Sequence, residues 1–364
     1  MFGLLKWPIK KAEVKVKEMF DKKNNFEKDY SISCARFIAM CLIILCHMMQ
    51  RDKISFEIAG VDIAMSQWFS VGAQMFLIIS GYLYGKKDNI DTVLFYKKQF
   101  SKILIDYYVF VCIIILIIRA STVWSVERNG KIALLTCTGT VPGLGHLWFV
   151  STILICYLLT PIFHSFIKEI DNEEKDWMFL VKTIVLILIV HIVVKLFFDM
   201  WIPAWINCYV IGMLYSRFEK RSNKRYLLFL TILCILMVGT RLKFDYWSNN
   251  ELPEMFTDMY GAFCYYVKVV LGMFLVVFVR EIYKKFEKVS GKKKHIILSW
   301  SDKYSYDIYL VHQIFVLSAF GYVEFIENRW IALPLAVVSI ALCGMLLNKM
   351  SNLTKLLIGK FVKT

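Results

Sequence analysis

The sequence lacks the short motifs by which most soluble catalysts are recognised. It holds no Walker loop, no Gly-x-Ser-x-Gly and no His-Glu-x-x-His. Gly143-Leu144-Gly145-His146-Leu147-Trp148 is only a fragment, without the strand and helix that a phosphate loop needs. The ten cysteines show neither Cys-x-x-Cys spacing nor a Cys/His metal pattern, so they read as buried free thiols and no metal site is expected. No internal repeat, heptad or low-complexity segment stands out. The longest outer loops, 121–146 and 241–260, leave no room for an appended soluble domain.

Carboxylates are also in short supply. The chain has 29 Asp and Glu against 44 Lys and Arg, a formal charge of +15. Such a balance suits a nucleic-acid ligand, but the charges gather in alternate loops between apolar runs, and no nucleic acid is expected. Hydrophobic residues make up 58% of the chain, above the roughly 45–50% of soluble domains, and the mean hydropathy is +0.55. The expected fold is all-α, a polytopic transmembrane helical bundle.

A helix crosses a bilayer with about 20 mostly apolar residues. Ten stretches fit: 32–50, 63–85, 102–120, 147–167, 178–199, 201–216, 226–240, 261–280, 304–323 and 330–348, the sixth short and Pro-containing. An inside N-terminus puts the basic clusters of 1–30, 86–102, 217–225, 280–294 and 349–363 on the inner side, with Lys168 and Lys175. The outer segments keep only Arg51, Lys53, Arg119, Arg128, Lys131, Arg241, Lys243 and Arg329. That asymmetry is what the positive-inside rule requires of about ten spans with both termini cytoplasmic. The expected organisation is a basic segment 1–30, a transmembrane domain 31–350 and a basic tail 351–364. Residues 1–30 have no apolar core long enough for a signal peptide. Phe2, Leu4, Leu5, Trp7 and Ile9 ahead of the lysines suit an amphipathic stretch on an anionic leaflet, and a solvated tail fits them equally.

The first apolar run, Ser33 to Gln50, is interrupted by Arg36 and His47. A helix turns 100° per residue, so the eleven-residue step closes to within about 20° of three full turns. Both side chains share a face, roughly 16 Å apart along the axis. A central Arg costs about 2.5–3.5 kcal/mol on insertion scales, so two such residues on one stripe imply a polar interior site. The topology also draws His47, His146, His191 and His312 toward the outer side, while His164 and His295 fall inside. A histidine cluster suits general-base work, although a lone histidine more often bridges helices. Lys182, Lys195, Asp199, Lys268 and Asp307 complete the intramembrane polar set. Lys195 and Asp199, four apart, are expected to pair, whereas Lys268 and Asp307 have no local partner.

Four separated blocks resemble one family, membrane acyltransferase family 3. The Arg, ten residues, His pattern of Arg36 and His47 is similar to its first-span signature. Met75–Gly85, with Phe76, Ser80, Gly81 and Tyr82, looks like its second-span block. Gly145–Phe163, with His146, Leu147, Trp148, Phe149, Tyr157 and Pro161, resembles its HLWFL…Y-LL-P block. Tyr304–Val316, with Tyr306, Tyr309, Leu310 and His312, resembles its S-x-x-IYL-x-H block. The blocks occur in family order from the first span to the ninth. One position departs: the family often has Arg-x-x-Arg before the third span, where this chain has Lys98-Gln99-Phe100-Ser101-Lys102. Neither Gln nor Lys replaces a bidentate guanidinium.

The resemblance implies an integral-membrane enzyme that moves an acyl group, commonly acetyl from acetyl-CoA, to a hydroxyl of a surface glycan or lipid-linked sugar. His47 is then the expected general base and Arg36 the donor-side residue. Lys98 and Lys102 would attract the CoA polyanion, although plain positive-inside topology accounts for basic residues there too. His146, Trp148, His312 and Tyr309 would line the acceptor side, and Ser80-Gly81 would allow close helix packing. The expected setting is a bacterial cell membrane, with membrane lipids as neighbours. A transporter or flippase using the same polar path is the rival reading, and the absence of internal repeats counts against it.

Overall fold

The computed structural model describes residues 28–58, 61–121, 126–137, 141–173, 175–197, 202–221, 225–248, 254–290 and 295–361. The amphipathic reading of the first residues therefore lies outside the described region, as does Asp199. One compact unit spans Ser31–Thr364.

Helix α1 (Tyr30–Asp52) leads into a hairpin of β1 (Ser55–Ile58) and β2 (Val61–Ala64). The strands run antiparallel, in register from Ser55 opposite Ala64 to Ile58 opposite Val61. The short α2 (Met65–Phe69) and then α3 (Val71–Gly85) follow. The expected continuous span over 63–85 is thus divided into strand, short helix and a 15-residue helix. Next come α4 (Thr92–Ala120), α5 (Arg128–Thr136), a 3-10 turn (Gly145–Leu147) and α6 (Trp148–Asp171). Helix α4 starts well ahead of its apolar stretch because the Asp91 carboxylate accepts the Leu94 N–H at 3.0 Å, capping the first turn.

The second half holds α7 (Asp176–Phe197), α8 (Ile202–Arg221), α9 (Arg225–Ser248), α10 (Glu254–Ser290), α11 (Ile296–Val316), α12 (Tyr322–Phe325) and α13 (Arg329–Phe361). Every stretch read as a span contains a helix. Seven of the helices, α1, α4, α6, α7, α9, α10 and α13, are long and apolar enough to cross a membrane. The chain is an all-α polytopic membrane bundle. The hairpin is the one sheet among the described residues.

Helices α3, α8 and α11 fall short of the other seven in length or apolarity for a physical reason. They lie inside the bundle, where polar side chains are shielded from lipid. Gln74 on α3, Asn207 and Arg217 on α8, and Asp307, His312 and Gln313 on α11 are all buried. By contrast, Ile184, Leu188 and Ile192 on α7 are exposed, the outward apolar face that lipid demands.

Helices α3 and α8 meet backbone to backbone. A Cβ at Gly81 would overlap the Tyr209 carbonyl oxygen, and one at Gly212 would overlap that of Ile78. Small residues give such contact in membranes, where dispersion rather than water drives helix packing. At the end of this seam Arg280 on α10 is only 1% exposed. Its guanidinium donates to the Tyr82 hydroxyl at 2.7 Å, the Tyr215 hydroxyl at 3.0 Å and Glu219 at 3.1 Å. Tyr82 passes a proton donor on to Glu219 at 2.5 Å, which closes the ring.

Gly212→Leu is expected to cost about 3 kcal/mol through overpacking, read as a lowered melting temperature of the purified protein in detergent. Gly239→Leu, where an added Cβ meets nothing within 4 Å, should leave that temperature unchanged.

Candidate active site

Three of the four histidines expected toward the outer side converge. His47 comes from α1, His146 from the 3-10 turn and His312 from α11. The His47 and His312 rings are 5.1 Å apart, and those of His312 and His146 4.6 Å. Tyr309 joins them, 5.1 Å from His146 and 5.6 Å from His312. His191 does not belong to the cluster: its Nδ1 pairs with the Tyr266 hydroxyl at 2.7 Å. His164 and His295 are likewise committed elsewhere, to the Lys87 carbonyl at 2.7 Å and the Tyr283 hydroxyl at 3.0 Å.

A glycine sets the turn that carries His146. Gly143 has φ +82°, and its Cα approaches Ser318 so closely that a Cβ would lie 2.8 Å from the Ser318 backbone. That approach lays the segment before α6 against the end of α11, beside Gln313.

Gln313 then fixes the histidines. Its Oε1 accepts the His146 backbone N–H at 3.2 Å, so its amide nitrogen is the end that faces His47, 3.0 Å from Nε2. On the other side of the ring, Nδ1 of His47 meets Gln50 Oε1 at 3.1 Å. An amide oxygen can only accept, so Gln50 favours the proton on Nδ1, and the Gln313 amide nitrogen, 3.3 Å from Nδ1, lies closer to Nε2, which keeps the lone pair. His146 donates from Nε2 to the Leu310 carbonyl at 3.0 Å, and His312 from Nδ1 to the Tyr309 carbonyl at 2.5 Å. Their remaining nitrogens, Nδ1 of His146 and Nε2 of His312, are buried acceptors without a partner.

His47 opens on two cavities. One, of about 290 Å³, is lined by His47, Gln50, His146, Trp148, Trp205 and Lys268 among others. The second, of about 680 Å³, shares His47, Gln50, His146 and Trp148, and is closed by Gly143 and Gln313. His312 is fully buried and lines neither; it packs behind His47 and His146.

Arg36, the other end of the stripe, lies in a separate cavity of about 440 Å³ with Lys102, Asp302, Lys303 and Lys355. Its Nη1 donates to Asp302 Oδ1 at 2.7 Å, and the Ser33 hydroxyl holds the other carboxylate oxygen at 2.5 Å. Lys355 is paired with Asp106 at 2.5 Å. Lys102 and Lys303 make no ion pair among the described residues. Lys98 is exposed on α4 and does not line the cavity. Gln99 is buried and accepts from the Tyr84 hydroxyl at 2.7 Å, so it braces helices. Asp307 borders the same cavity and takes a hydrogen bond from Asn348 at 2.8 Å.

The two ends are divided by a thin aromatic wall. Phe149 and Tyr309 line both the Arg36 cavity and the smaller His47 cavity, and no other residue does. Their rings are 5.2 Å apart. Tyr309 is pinned there by its hydroxyl, which donates to the His146 carbonyl. Sequence reasoning missed Gln313, Gln50, Asp302 and Trp205. Gln313 adjoins His312, but no periodicity distinguishes a glutamine that clamps from one that packs. No group of three or more His, Cys, Asp or Glu among the described residues could hold a metal ion.

Comparison with protein-family models gives one match, the acyltransferase domain of family 3, over residues 29–348. No curated protein matches, and no solved structure matches.

Gln313→Leu would strip the His146 N–H and the His47 Nε2 of their shared partner. It is expected to cost about 1–3 kcal/mol, measured as earlier thermal unfolding.

Proposed function

The chain belongs to acyltransferase family 3, and from that premise we propose that it transfers acetyl or another short acyl group from acyl-CoA to a glycan hydroxyl, with His47 as general base. The acceptor in this reading is a cell-envelope or exported glycan, or a lipid-linked sugar, presented on the outer side of a bacterial cell membrane. The observation that carries it is the aromatic wall: a basic cavity and a histidine cavity stand back to back, with only Phe149 and Tyr309 common to both.

The donor takes the Arg36 side. Lys102 and Lys303, which make no ion pair among the described residues, meet the CoA phosphates as point charges. Arg36 is held by Asp302 and keeps further N–H groups to offer a phosphate. The extended arm of the donor then reaches past Phe149 and Tyr309 and places its thioester against the His47 cavity. This spans the roughly 16 Å between the two residues on α1.

On the acceptor side the sugar hydroxyl replaces the Gln313 amide as donor to His47 Nε2. The imidazole takes the hydroxyl proton as the oxygen bonds to the thioester carbonyl carbon. The tetrahedral intermediate then expels the CoA thiolate, which recovers that proton from the imidazolium. The products are the sugar ester and free CoA. Gln50, which accepts from Nδ1–H, supports the positive ring in between.

His47→Ala should lower transfer from labelled acetyl-CoA by at least about 10²-fold, in protein whose melting temperature matches the parent. Transfer should also fall as the medium is acidified, since a protonated imidazole has no lone pair to accept the hydroxyl proton. An alanine variant that keeps full activity, or counterflow of unmodified sugar by the parent in liposomes without acyl product, would sink the assignment.

A further inference from the structure

The smaller His47 cavity contains hydrogen-bond donors with nothing to bond. Lys268 lines it from α10. Among the described residues its ammonium has no ion pair and no hydrogen bond. Its ionisable neighbours are Arg241 and the thiols of Cys46 and Cys264, and the Tyr265 ring centroid is 6.0 Å away. None of these is an anion. Trp205 lines the same cavity, is 7% exposed, and has an indole N–H with no acceptor. Gln67 adds a third donor. Its Oε1 is taken by Nη2 of the buried Arg241 at 2.8 Å, which leaves its amide nitrogen to spare.

The buried guanidiniums among the described residues each face a carboxylate, Arg241 beside Lys268 included, which has Asp245 at 3.6 Å. Arg280 has Glu219, Arg217 faces Asp171 at 3.5 Å, and Arg36 has Asp302. A cation withdrawn from water without a counter-charge costs several kcal/mol. A buried N–H without an acceptor adds its own penalty. Both are relieved at once by a negatively charged acceptor group from a ligand. Trp148 and Trp205 both line the cavity, with their rings 4.5 Å apart. Indole faces carry negative charge density that attracts the polarised C–H groups of a sugar.

We propose that the acyl acceptor is an acidic sugar, and that its carboxylate or phosphate is bound in this cavity by the Lys268 ammonium and the Trp205 indole N–H. The inference rests on the reading of the His47 cavity as the acceptor site. Charge-assisted bonds to Lys268 anchor the acid, the indoles support the ring, and a hydroxyl of the same unit meets His47. Carboxylate and phosphate share this chemistry. A uronic-acid residue of a glycan would supply the first, and a phosphorylated or lipid-phosphate-linked sugar the second.

The purified full-length protein can be titrated with methyl β-glucuronide, glucose 6-phosphate and methyl β-glucoside while indole fluorescence is followed. Transfer from labelled acetyl-CoA to each is measured in parallel. At least one acid should bind about tenfold or more tightly than the neutral glucoside, and the stronger of the two identifies the group. Lys268→Gln should abolish that preference, and Lys268→Arg should restore most of it, which separates lost charge from lost fold. Equal binding of all three, a preference that survives Lys268→Gln, or no binding of either acid at millimolar concentration overturns the proposal. Lys268-dependent binding of an acid with no acetylated product would uphold the anion site and remove the acyltransfer reading. Equal transfer to glucoside and acids, unaffected by Lys268→Gln, would do the reverse.

Discussion

A charge inside a membrane bundle has to be answered from within the chain, because lipid supplies neither water nor counter-ions. Most of this molecule's interior is arranged around that requirement. Arg280 draws α3, α8 and α10 together through Tyr82, Tyr215 and Glu219. Arg217 holds the C-terminal end of α8 against the Lys87 carbonyl at 2.7 Å. Arg241 stacks over Trp68, 4.6 Å from the ring, and fastens Gln67 on the segment that follows the hairpin. The buried polar side chains of α3, α8 and α11, Gln74, Asn207 and Asp307 among them, are kept from lipid by the helices packed around them.

The same requirement orders the site. The amide of Gln313 is a two-ended clamp: its oxygen is fixed by a backbone N–H, so its nitrogen has one use left, and that use sets the tautomer of His47. A glutamine is suited to this because it carries both polarities and no charge. In the proposed reaction the histidine it addresses would be prepared before any substrate arrives. Arg36 and His47 belong to one helix yet serve different cavities, and the stripe that joins them runs past the Phe149–Tyr309 wall.

Much of this was legible in the residues. Apolar runs and the distribution of lysines located a helix in every expected stretch, and the shared face of Arg36 and His47 announced a polar interior. The block around His146 and Trp148 and the block around Tyr309 and His312 were visible as motifs, and the fold brings them to His47. What stayed hidden depended on contacts between distant segments. Nothing local marks Asp302 as the partner of Arg36, 266 positions away. Depth alone placed His191 with the other outer histidines, but depth does not report azimuth, and α7 turns it toward Tyr266. Lys98 and Lys102 are one helical turn apart, and only Lys102 reaches the cavity. The hairpin escaped notice because its strands are short and sit where a span was expected to begin.

The wall between the cavities is also an electrical boundary. On the proposed route, the basic cavity and the histidine cavity look out on opposite sides of the membrane, and the transmembrane voltage falls across the few ångströms of ring between them. Moving one elementary charge through that field would involve about 2.3 kcal/mol per 100 mV. An acetyl group is neutral, and the proton it displaces stays on the outer side with His47 until the thiolate collects it. On that route the CoA phosphates would never leave the inner side. Two rings can therefore let an acyl group pass while holding back ions, and each turnover would leave the membrane potential almost undisturbed.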